Sequence, residues 1–127
     1  MKELENETIR FWIENGILYS EYIKSSIGDY EVIKSVIDLR HEISNNEKQY
    51  WCYDIKDLTT MNKEARDYAN IHGQDFLHGC AVIVNSHITK FIFNAFLMIK
   101  KPKIPFKAFN NKTNAVEWLK ELKSKNE

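Results

Sequence analysis

The chain has 127 residues, of which 43% are hydrophobic and 28% charged, with 18 basic and 18 acidic side chains. That length and balance describe one globular domain, residues 1–127, with a core large enough to need no disulfide. A net charge of zero argues against a dedicated nucleic-acid binder, and the longest apolar run, Phe91 to Ile99, is broken by Asn94 and too short to span a bilayer.

The start, Met1 to Thr8, is acidic and polar and does not read as a signal peptide, so a cytoplasmic protein with an ordered core over about 8–122 is expected. Thr8 to Ile13 alternates, with Ile9, Phe11 and Ile13 on one face. Ile17 to Ile23 continues as a second strand. Asn15-Gly16 between them is a two-residue hairpin signal, because both positions of a type I′ turn need positive φ. Asp29 can cap a first helix whose stripe is Val32, Ile33, Val36, Ile37 and Ile43, with Arg40 at its edge. Ser44 to Lys48 reads as a loop. Tyr50 to Ile55 is apolar enough on both faces to be a central strand.

Asn62 starts a second helix with Ala65, Tyr68, Ala69, His72 and Phe76 on its inner stripe, ending near His78-Gly79. Ala81 to Val84 is a short buried strand. Ser86 caps a third helix with Ile88, Phe91, Ile92, Ala95, Phe96 and Ile99 inward, stopped by Pro102. Ile104 to Phe109 is an edge strand, since Pro105 cannot donate to a ladder. Asn110 or Asn111 caps a final helix carrying Ala115, Trp118, Leu119 and Leu122 inward. The order β-β-α-β-α-β-α-β-α predicts an α/β fold: a single mixed, mostly parallel sheet with an N-terminal antiparallel hairpin and about four helices.

This order, over roughly Thr8 to Leu122, resembles the STAS superfamily and most of all its SpoIIAA-like branch, the STAS/SEC14 domains. The matching elements are the opening hairpin, the Asp54-to-Asn62 junction, the Ala81-Val-Ile-Val84 strand, and the ending Ile104-Pro-Phe-Lys-Ala-Phe109 with its Ala-x-x-Trp-Leu helix. Members acting as anti-sigma-factor antagonists carry a phosphorylatable serine in a run like Leu-x-x-Met-Asp-Ser-Ser-Gly. The corresponding run here is Leu58-Thr59-Thr60-Met61-Asn62-Lys63-Glu64-Ala65. Asn62 takes the aspartate's place as a cap, and Lys63 and Glu64 take the serines' places. The resemblance therefore implies a module without the serine switch. Thr59 and Thr60 read as ordinary loop threonines, with phosphate acceptance as the sharper alternative.

No catalytic residue, metal site or cofactor motif stands out. Cys52 and Cys80 lie in predicted strands without a CxxC spacing and read as two reduced, buried thiols rather than an extracellular staple. His41, His72, His78 and His87 make no close metal pair. His72 reads as a core histidine, His78 as a helix-end residue, and His87 as exposed. Ser86-His87 diverge at a helix start and form no dyad. Asp54, Asn62, Asn85 and Ser86 fall at the carboxyl edge of the sheet, where α/β folds bind ligands. They either hold their own loops or line a pocket for a small anion or polar head group.

The third helix also carries Phe93, Leu97 and Met98 and is apolar nearly all round. Either the final helix covers the excess, or the face meets a homodimer mate, a protein partner or an apolar ligand; Trp12 and Tyr22 on the hairpin extend such a patch. Residues 1–85 carry nine basic and fifteen acidic side chains and residues 86–127 nine and three, with Lys100, Lys101, Lys103 and Lys107 clustered. That edge is solvated or faces an acidic or phosphate-bearing partner. The expected function is a non-enzymatic, dimeric STAS-like regulatory or protein-interaction module. The alternative is a small-molecule or lipid-binding module with a pocket between the third helix and the sheet. An enzyme is the least supported reading.

Overall fold

The computed structural model describes all residues except 1, 88, 91, 92, 95–100 and 127. Eight strands and three helices are delimited: β1 Glu3–Glu5, β2 Ile9–Glu14, β3 Ile17–Tyr22, β4 Ser26–Gly28, α1 Tyr30–Ser44, β5 Gln49–Asp54, β6 Leu58–Met61, α2 Lys63–His72, β7 Leu77–Ile83, β8 Phe106–Phe109 and α3 Lys112–Lys125. Six strands form one sheet in the order β1-β2-β3-β5-β7-β8. β1, β2 and β3 pair antiparallel, and β3, β5, β7 and β8 pair parallel. β4 and β6 make a separate two-stranded parallel ribbon. This is the mixed, mostly parallel α/β sheet that the pattern predicts.

The local signals act as their chemistry requires. Asn15 and Gly16 have φ of 53° and 78°, and Glu14 pairs with Ile17 across them, so the turn is of the primed kind. Asp29 accepts from the Val32 N–H at 2.9 Å and Asn111 from the Asn114 N–H at 2.8 Å, so each caps its helix. β5 lies between β3 and β7 with Tyr50, Trp51, Cys52 and Tyr53 all buried. β8 is the terminal strand, as Pro105 foretells; the Pro105 carbonyl still accepts from the Cys80 N–H at 3.0 Å.

The sheet separates two cores. On one face Ile9, Phe11, Leu18, Trp51, Cys80 and Val82 pack with Val36 and Ile43 of α1. On the other, Ile17, Tyr50, Cys52, Ala81 and Ile83 pack with Ala115 and Leu119 of α3. Ile33 and Ile37 of α1 close on Ala65 of α2. The two cysteines are free, buried and on opposite faces.

Several expectations need correction. β1 and the β4–β6 ribbon have no counterpart in the pattern, because strands this short carry too little alternation to read. α2 ends at His72 rather than near His78-Gly79: Gly73 closes it, Phe76 takes φ of 59°, and the chain turns into β7. Phe76 is thus off the α2 stripe, and His78 lies in β7, stacked on Tyr50 with centroids 4.9 Å apart. Tyr22 faces the core, 5% exposed, and its hydroxyl meets that of Tyr53. Arg40 is fully buried, not at a stripe's edge. Of the helix expected after Ser86, His87, Thr89, Lys90, Phe93 and Asn94 are helical, and Thr89 N–H donates to Ser86 Oγ at 3.1 Å. Leu97 and Met98 lie outside the described residues. No helix among the described residues is long and apolar enough to cross a membrane.

Candidate functional site

The carboxyl ends of β3, β5, β7 and β8 bring Glu21, Asp54, Asn85, Ser86, Asn110 and Lys112 to one edge. Asp54 Oδ1 accepts the Lys56 N–H at 2.9 Å, and its Oδ2 lies 3.4 Å from Lys56 Nζ. Asn85 Nδ2 donates to the Lys56 carbonyl at 3.3 Å. Asp54 and Asn85 thus grip the same turn, with Ser86 alongside, capping the segment after β7. Asn110 Nδ2 meets the ring of His87, 2.9 Å from Nε2. Asn62 is not part of this group. Its Oδ1 accepts the Ala65 N–H at 2.9 Å and its own N–H donates to the Gly28 carbonyl of the ribbon.

The hollow beside Asp54 is small. Trp12, Tyr19, Asp54 and Lys112 enclose about 20 Å³, room for a water rather than a polar head group. The thiols are not poised for chemistry. Burial pushes Cys52 up to about 12 and Cys80 well above the usual thiol range, whereas a reactive cysteine needs the opposite shift. Among the described residues, no group of three or more His, Cys, Asp or Glu side chains could hold a metal ion.

Next to this edge lies a surface the hairpin register creates. Trp12 pairs with Tyr19 across β2 and β3, and their rings stack with centroids 5.5 Å apart and planes 13° from parallel. The Arg10 guanidinium lies 4.7 Å from the Trp12 centroid, and Lys112 Nζ lies 5.7 Å from Trp12 and 4.9 Å from Tyr19. Arg10 is held in turn by Glu3 at 2.8 Å. α3 packs on β5, β7 and β8, so both rings stay partly exposed. The pairing of Trp12 with Tyr19 follows by counting outward from Asn15-Gly16; the cations above it do not.

Phe93, expected on an outward face, is half-buried. Its ring stacks on Phe106 with centroids 6.0 Å apart and packs against the α1-side core.

At the opposite end of the parallel strands is a groove of about 260 Å³ that sequence reasoning missed. It lies between the α2–β7 turn and the loop before β8, and only the tertiary fold brings those segments together.

The model of a family described as a domain of unknown function, DUF7793, matches residues 11–123. No curated protein matches the chain. Among solved structures, an uncharacterised protein of the DUF3478 family with a SpoIIAA-like fold, from Shewanella loihica PV-4, superposes with a TM-score of 0.65. The two chains are 16% identical, over 94% of this one and 99% of that one. At that identity the likeness establishes the fold, and the fold is SpoIIAA-like, of the STAS type.

Proposed function

We propose that this chain, which belongs to the DUF7793 family, is a non-enzymatic STAS-like interaction module that pairs with a second copy of itself. The observation that carries the reading is the half-covered sheet face, where Trp12 and Tyr19 stack between Arg10 and Lys112. Aromatic and arginine side chains concentrate in the centres of protein interfaces, and aromatic rings bury much area there at small entropic cost. A rigid pair of rings, already ordered by its strand register, meets a partner with little further ordering. The carboxyl-edge polar groups support binding over catalysis, since Asp54, Asn85 and Ser86 are engaged in holding their own turns. No serine stands at the start of α2, so the serine phospho-switch of the sigma-factor regulators has no acceptor there.

The test is light scattering over a concentration series with native mass spectrometry of the same sample. A concentration-dependent dimer that Trp12→Ser with Tyr19→Thr dissociates, while circular dichroism is unchanged, supports the reading. A monomer at every concentration rejects self-association. A dimer untouched by the double variant moves the contact elsewhere, with Leu97 and Met98 the next positions to change. A monomer carrying co-purified mass favours the alternative of a small-molecule or lipid-binding module.

A further inference from the structure

The groove at the amino ends of β5, β7 and β8 has features that neither the fold nor the dimer reading uses. Its lining includes Lys48, Lys103, Gln74, Ile71, Phe76 and Ile104. Ile71 is 70% exposed, one of three large apolar side chains left so open among the described residues. Phe76 forms a wall from a left-handed backbone, φ 59°, which costs a bulky residue energy and which proteins keep mostly where position matters. Gln74 Oε1 accepts the Lys103 N–H at 2.6 Å and fixes the two sides relative to each other.

The charges point one way. Lys48 and Lys103 have no carboxylate partner among the described residues. Behind the wall lies the buried Arg40, whose Nη2 donates to the Gly73 carbonyl at 3.2 Å, next to Gln74. Its Nε and Nη1 have no acceptor among the described residues. Two cations, Lys48 and Lys103, thus line the groove against one carboxylate, Asp75, whose charge is also drawn to Arg40 behind it. The buried Arg40 offsets the Asp75 carboxylate with little water between to screen it, which leaves the two lysines in excess at the groove.

We propose that this groove binds a small organic acid: a carboxylate set between Lys48 and Lys103, with an apolar body against Ile71, Phe76 and Ile104. The volume favours a small molecule, since it falls just under the roughly 300–1,000 Å³ of ordinary ligand pockets. Positive charge selects the carboxylate, and the apolar walls select the body. The site is distinct from the Trp12–Tyr19 surface and does not require the dimer.

The experiment uses the full chain, labelled with ¹⁵N, titrated with hydrocinnamate and separately with its neutral amide, hydrocinnamamide. Hydrocinnamate is expected to shift the amide resonances of Gln74, Phe76 and Lys103 in a saturable way, and to bind about tenfold more tightly than the amide. Lys48→Gln with Lys103→Gln, two exposed substitutions that leave the core alone, should erase that preference, and Ile71→Ser should weaken both compounds alike. Equal affinity for acid and amide, an unchanged preference in the double lysine variant, or no saturable shift in these resonances would each overturn the proposal.

Discussion

The guanidinium of Arg40 lies over the indole of Trp51, 4.9 Å from the ring centroid, where solvent does not reach. Burial pulls its pKa down to about 10, so the group stays charged at neutral pH. A desolvated cation–π contact returns about 2 kcal/mol, and burying the charge costs several. Arg40→Met keeps most of the length and removes the charge. It is expected to leave the protein at least as stable in urea denaturation, whereas Arg40→Ala, which opens a cavity, should lose about 3 kcal/mol. A loss above about 2 kcal/mol in the Met variant would show that the guanidinium is a net stabiliser.

Beside it the Tyr22 and Tyr53 hydroxyls share a hydrogen bond. Burial raises Tyr22 to about 12 and Tyr53 well above the ordinary range. A folded-state pKa above the unfolded one means the native state holds its proton longer. The contribution is therefore complete below pH of about 10 and is lost as pH rises towards 12. Tyr22→Phe should cost about 1–2 kcal/mol at pH 9, by leaving the Tyr53 hydroxyl unpaired. By about pH 11.5 the gap should close, because the wild type then also loses the Tyr22 term. Paired urea titrations at the two values decide it; a constant gap would mean that Tyr22 ionises alike folded and unfolded.

Much of this fold was legible because its signals are local. The Asn15-Gly16 turn, the Asp29 and Asn111 caps, the two-sided burial of β5 and the edge placement implied by Pro105 all depend on a few adjacent residues. What was not legible depends on distant ones. Arg40 looks like a rim residue until Trp51 and Gly73 arrive to enclose it. The α2 stripe continues plausibly to Phe76, and only the pairing of Gln49 with Leu77 shows that the chain has already become a strand. The candidate site divides the same way. Asp54, Asn85 and Ser86 share an edge because strand ends do, while Asn62 caps α2 just after a ribbon strand too short to read, and the Lys48–Lys103 groove joins segments 55 positions apart.

Asn94, the polar break in an apolar run, closes an edge. Its Oδ1 accepts the Ala108 N–H at 2.9 Å and its Nδ2 reaches the Ala108 carbonyl at 3.4 Å. One side chain thus supplies what a ninth strand would, on the free side of β8. Asn94→Leu is expected to lose about 1–2 kcal/mol and to raise the tendency to associate through β8, since an open edge pairs with other strands. Light scattering after mild heating, with denaturation of the same sample, measures both. A stable variant that stays dispersed would show the edge to be protected by something else.

Asn62 stands where the sigma-factor antagonists' aspartate precedes the phospho-acceptor, and here it caps α2. The cap bond to the Ala65 N–H is 2.9 Å, and the residue is exposed. A cap works through its acceptor oxygen, so Asn62→Asp should match the wild type or gain a few tenths of a kcal/mol from the helix dipole. Asn62→Ala, which has no acceptor, should lose about 1 kcal/mol. Lys63→Ser tests the neighbouring position from another side. It removes the ion pair with Asp67, 2.7 Å long but exposed, and should change stability by less than about 0.5 kcal/mol. Thermal denaturation followed by circular dichroism ranks the three. If Asn62→Asp fell as far as Asn62→Ala, the amide nitrogen rather than the oxygen would be the working group, and the cap would not explain the residue.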